Sequence, residues 1–180
     1  MAKRRSAGGQ IPLEWIGAVG TLTDAATNVL LALDLNLDDD EMAEILTIDS
    51  DIHLELDADT VAEEETLEGN LALVMDPSYA VSNNPYSETV YEDLEAFWNH
   101  GFGLDTGSIT AASQFVFANH SNKQLNLQPG FGIMLANNPA ALISCPGITG
   151  TSTAAFHIRL YFKRRKATDM QLARTLLKRR

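Results

Sequence analysis

The side chains best equipped for chemistry are scattered along this chain. Four histidines, His53, His100, His120 and His157, fall in different predicted elements. None forms a His-x-His pair followed by an acid and a further His, the set that strand-borne metal enzymes close around one ion. The one cysteine, Cys145, rules out an intrachain disulfide and a multi-cysteine metal site. It sits in the apolar run 140–145, where a buried, inert thiol is expected. No serine lies in a Gly-x-Ser-x-Gly turn. There is no Walker loop, and Gly101-Phe-Gly103 and Gly130-Phe-Gly132 are too short to cradle phosphate and read as bends. The carboxylates at 38–41 and 49–59 offer the oxygens a Ca²⁺ ion prefers, but without EF-hand spacing they read as a solvated acidic face. Asn119-His-Ser121 is a glycosylation sequon by pattern only, with no secretion signal to give it meaning. The expectation is a chain without catalytic residues, metal or cofactor, and so not an enzyme.

The chemistry that remains is charge. The net charge is −11, from 13 cations and 24 acids. Residues 1–5 hold three of those cations, and residues 159–180 hold nine against the lone acid Asp169. Between them, residues 6–158 carry 23 acids and one base, Lys123. Basic ends on an acidic body read as arms for a polyanion, with the body itself repelling phosphate. The candidate nucleic-acid contacts are therefore Lys3, Arg4, Arg5, Lys163, Arg164, Arg165, Lys166, Arg174, Lys178, Arg179 and Arg180. Such contacts would be independent of base sequence, because few aromatics accompany them.

The elements that must carry these ends read as strands. Phe156, Ile158, Leu160 and Phe162 alternate with His157, Arg159, Tyr161 and Lys163, the period of a half-buried strand. That strand runs into Lys163-Arg-Arg-Lys166 without a turn signal. Val29, Leu31, Leu33, Leu35 and Leu37 alternate in the same way, as do Leu46, Ile48, Ile52, Leu54 and Leu56. The full count is eight strands: 28–37, 44–57, 70–76, 109–119, 123–128, 131–136, 140–145 and 154–165. Asn/Ser clusters, Pro129-Gly130, Asn137-Asn-Pro139 and residues 146–152 supply the turns. One helix is expected over 87–99, from the spacing of Val90, Tyr91, Leu94, Phe97 and Trp98, with Gly101 and Gly103 as its stop. A second, amphipathic and basic, is expected after Thr168, where Thr168 and Gln171 fit a capping box. The reading is an all-β, eight-stranded jelly-roll sandwich with one inserted helix and a C-terminal amphipathic helix. Its parts are a basic N-terminal arm and anchoring segment (1–27), the sandwich (28–166) and the basic C-terminal helix (167–180). Leu13, Trp15, Ile16 and Val19 would anchor the arm. No apolar run approaches the ~20 residues that cross a bilayer, so the product is expected to be soluble, unsecreted and without a membrane partner, although the C-terminal helix has the composition to touch one.

This order of elements over about 28–165, with the basic arm at Lys3-Arg4-Arg5 and the basic C-terminal extension, resembles the single jelly-roll capsid proteins of small icosahedral viruses. The resemblance implies many copies of the chain in a closed shell, basic termini facing the packaged nucleic acid, and residence in a virion assembled in the host cytoplasm or nucleus. The arm is shorter and less basic than that family's, and much of the cationic charge is C-terminal instead. Two other readings stand beside it: an oligomeric β-sandwich such as a spike, fibre or accessory module that binds a protein partner, and a cupin-like small-molecule binder.

Overall fold

In the computed structural model the described residues are 12–57, 66–75, 96–105, 115–124 and 133–168. They form nine strands in two antiparallel sheets: β1 (Glu14–Leu22), β2 (Asn28–Ala32), β3 (Glu41–Leu56), β4 (Thr66–Val74), β5 (Ala96–Asp105), β6 (Phe115–Gln124), β7 (Ile133–Leu135), β8 (Ala140–Ser144) and β9 (Thr153–Lys166). One sheet runs β1-β9-β3-β6, with β7 sharing the far side of β3; the other runs β2-β8-β4-β5. The pairs are nested: β1 with β9, β2 with β8, β3 with β6 and β4 with β5. The chain thus behaves as one long antiparallel ribbon folded over on itself.

Period two explains the sandwich. Phe156, Ile158, Leu160 and Phe162 of β9 are buried as expected, and Ile48, Ser50, Ile52, Leu54 and Leu56 of β3 join them from the neighbouring strand. Leu71, Leu73, Phe102, Ala141 and Ile143 of the second sheet belong to the same core cluster. Each fully buried large apolar side chain contributes about 1.5–3 kcal/mol. Ser50 and His100 cross this core from opposite sheets and share a hydrogen bond of 2.7 Å.

Several elements differ from the sequence reading. Leu46, expected in phase with Ile48, is only half-buried, because the β3–β9 register shifts between Ile45 and Thr47 and an extra residue turns the strand. Pairing in β2 ends at Ala32, not 37. Leu33 and Leu35 stay buried, but their N–H groups donate to the Pro139 carbonyl and the Asn138 side chain. Asn36 (φ 49°) then takes the left-handed conformation, its N–H donating to Asp34. Within the described residues the expected strands 109–119 and 123–128 are joined in one, β6, which runs through the predicted turn at 120–122; residues 109–114 and 125–128 lie outside the described residues.

The expected helix over 87–99 is contradicted where it can be followed. Residues 96–99 are strand, paired with β4 through Leu73↔Trp98 and Ala72↔Asn99. The supposed stops, Gly101 and Gly103, lie inside β5. An unpaired β4 edge outweighs a helical spacing that local residues merely permit. Gly69 completes the fit: a Cβ there would lie 2.3 Å from the Phe102 ring that packs over it. Residues 87–95 of that helix, and the C-terminal helix beyond Thr168, lie outside the described residues. Trp15, Ile16 and Val19, read as anchors for the arm, lie in a full strand, so the sandwich takes in β1; the arm at 1–11 lies outside the described residues.

Candidate polyanion interface

The basic block at the end of β9 is held by pairing, not left as a tail. β9 outruns β1 at Glu14↔Phe162, and its last residues continue along β3 through Ala43↔Arg164 to Glu41↔Lys166. The first residue of β1, the start of β3 and the end of β9 therefore meet at one corner. Antiparallel pairing of the first and last strands forces this, since the start of one lies beside the end of the other.

Acids from β1, from β3 and from the turn before β3 meet the cations there. Arg164 Nη2 lies 3.0 Å from Glu14 Oε2, and its Nη1 lies 3.9 Å from Glu41 Oε2. Arg165 Nε donates to Glu44, whose side chain is wholly buried. Lys166 Nζ donates to Asp40 Oδ2 at 2.6 Å, and the Ala167 N–H donates to the Asp40 carbonyl. The Lys166 hydrogen bond holds the Asp40 carboxyl below its ordinary pKa, and Asp40 in turn raises that of Lys166. Lys163 is half-exposed, opposite Glu44 in the ladder. Of the four cations read as nucleic-acid contacts on β9, three thus have carboxylate partners in the body. Lys3, Arg4, Arg5, Arg174, Lys178, Arg179 and Arg180 lie outside the described residues. The partners Glu14, Asp40, Glu41 and Glu44 were not singled out in the sequence; the signal was present only as the acidic run 38–41 ahead of an apolar strand.

The outward face of the same sheet is polar. His120 Nδ1 lies 2.6 Å from Asp51 and its Nε2 3.5 Å from Asp49, while Asn122 donates to Asp49 at 3.2 Å. His157 stands opposite Asp51 on the next strand. Arg159 stacks over Trp15 at 5.0 Å and donates to the Tyr161 hydroxyl at 3.3 Å, which raises its already high pKa. Trp15, Gly17, Val19, Asp49, Asp51 and His157 border an open groove of about 340 Å³. Among the described residues, no three His, Cys, Asp or Glu side chains are placed to share a metal ion.

Two groups capable of covalent chemistry are sealed from substrate. Ser50 touches His100 but is 1 % exposed, so no carbonyl can approach its oxygen. Cys145 is buried within the core, and desolvation pushes its pKa up to about 12, leaving it a thiol rather than a nucleophilic thiolate.

No family model matches the chain, and no curated protein matches it by sequence. Among solved structures it is similar to a chain of Desmodium yellow mottle tymovirus, at 12 % identity, over 94 % of this chain and 97 % of that chain, with a TM-score of 0.35.

Proposed function

We propose that this chain is a structural capsid protein, a jelly roll that assembles in many copies into a closed icosahedral shell with its basic termini turned to the packaged nucleic acid. The observation that carries the reading is the register Glu14↔Phe162, by which β1 begins beside the last residues of β9. Arg5 is nine residues from Glu14 in sequence, within roughly 30 Å of it even when fully extended. The segments that carry Lys3, Arg4 and Arg5 and the C-terminal cations thus attach to the acidic body at one corner, which supports a reading in which both serve the same side of a shell. The nested strand pairs support the jelly roll, whose two Greek keys arise when such a ribbon wraps. Within this reading Arg164, Arg165 and Lys166 fasten the strand end to the body. Phosphate contact then rests chiefly on Lys3, Arg4, Arg5, Lys163, Arg174, Lys178, Arg179 and Arg180.

Those same ion pairs favour a second reading, an oligomeric β-sandwich module whose C-terminal cations secure its own fold and meet a protein partner. Electron microscopy of the purified protein, with absorbance at 260 nm of the assembled fraction, separates the two. Closed shells carrying nucleic acid are expected; discrete small oligomers free of nucleic acid would overturn the capsid reading in favour of the module.

A further inference from the structure

Among the described residues five strands lie at sheet edges, and four carry a feature that discourages pairing with another chain. β2 is five residues long and β7 three, β6 bears His120 and Lys123, and β5 is bulged near its start and closes on Asp105. β1 has none. It is nine residues long, and from Trp15 to Leu22 it holds no charge and no proline. Its backbone pairs with β9 on one side, and among the described residues no strand pairs it on the other. Trp15 is 63 % and Val19 56 % exposed. A long, uncharged, apolar edge of this kind is a template for another strand.

We infer that β1 is the surface through which two copies of this chain join, antiparallel and about a two-fold axis at Ala18. The strand complements itself in that register. Trp15 then faces Thr21 of the second copy and Val19 faces Gly17, so each large side chain meets a small one. On the other face Ile16 meets Gly20, and Ala18 meets Ala18. Glu14 meets Leu22, so no like charges stand opposite each other. Elsewhere residues 6–158 are strongly acidic, and two such bodies repel unless they approach along a neutral line; β1 is that line. Each Arg159 guanidinium lies over its own Trp15, and in this register the two Trp15 residues are six positions apart along the strands, roughly 20 Å, beyond the ~10 Å over which exposed charges act at ordinary salt. The two-fold makes the contact closed, since each strand uses up the edge of the other.

The inference does not rest on the shell. Its test uses the full chain in sedimentation velocity and native mass spectrometry, with circular dichroism to check folding. Val19→Lys and Val19→Glu each alter an exposed side chain, so the fold should survive. Each variant alone is expected to weaken pairing at least tenfold, through repulsion across the two-fold; an equimolar mixture should restore it. Ala18→Cys should form an oxidised dimer of twice 19.6 kDa, because side chains directly opposite in an antiparallel pair lie ~5 Å apart. Wild-type association persisting unchanged in both Val19 variants, or folded Ala18→Cys that does not cross-link, would overturn the pairing. Shells that survive the Val19 variants sink the pairing and leave the capsid reading intact. Wild-type dimers that dissociate with Val19→Lys, in preparations lacking particles, do the reverse.

Discussion

Ile158 and Arg159 are neighbours with opposite fates, and the contrast is measurable. Ile158 is 2 % exposed and faces the second sheet, while Arg159 lies on the outer face. Ile158→Asp buries a carboxylate with no partner, a cost on the order of 3–5 kcal/mol against a total stability of about 5–15 kcal/mol. It should leave the protein insoluble or unfolded at 37 °C, whereas Arg159→Ala should shift the thermal midpoint only slightly; equal losses in both would refute the facing. Arg165 belongs with Ile158 despite its charge. Its partner Glu44 is fully buried, so Arg165→Met should destabilise by on the order of 3 kcal/mol. Lys166→Met, at an exposed pair, should be close to neutral by the same denaturant titration. His100 adds a pH dependence. Burial lowers its pKa most, helped by the charge of His120 and opposed by Asn119 and Asp51. The unfolded chain therefore binds this proton more readily than the folded one. The folded advantage is intact above pH 6.5, the unfolded value, and is lost as pH falls from there toward the lower folded pKa. The thermal midpoint should drop below pH 6.5, and His100→Gln should flatten that slope; an unchanged slope would assign it to other groups.

At the scale of elements, β3 and β9 were readable because each keeps one apolar and one polar face over many residues. β1 was not, since Ile16, Ala18, Gly20 and Leu22 alternate with Trp15, Gly17, Val19 and Thr21, leaving apolar residues on both sides of the strand. β5 was misread because Phe97 and Trp98 fit a helical stripe, while the strand parity of Trp98, His100, Phe102 and Leu104 is interrupted by glycines that resemble stop signals. The polar run 120–122 has the composition of a turn, yet His120 and Asn122 have partners across the sheet in Asp51 and Asp49. The cationic block itself was legible as composition. Its carboxylate partners were not, because Glu14 and Arg164 are brought together only by pairing the first strand with the last. The Gly69 side of β4 offers a check on β5 as a strand: Gly69→Val drives a branched side chain into the Phe102 ring, and should cost about 1–3 kcal/mol as overpacking. If Gly69→Val melts like the parent, Phe102 does not lie over it.

For the whole molecule the governing fact is separation of charge. If the termini bind nucleic acid, the eight cations at 3–5, 163 and 174–180 should release counterions on binding. The logarithm of affinity for single strands should then fall with the logarithm of salt at a slope of about −6. Deleting residues 1–5 should reduce that slope by about 2, because three of the eight cations go. Neutralising Arg164, Arg165 and Lys166 should act mainly on stability. A slope unmoved by deleting either end would assign the cations to protein contacts instead.

The nesting of the strand pairs also sets an order in time. β4 and β5 are the nearest partners along the ribbon, while β1 must wait for β9, with most of the chain between them. A ribosome therefore releases β1 long before anything exists for it to pair with, and the first sheet cannot close until Lys166 has emerged. Contacts this distant in sequence make folding slow, in the millisecond-to-second range of sandwiches. A chain cut short before Thr153 leaves β1 without its partner and β3 with one flank bare, so truncation yields no smaller folded unit but a sticky one.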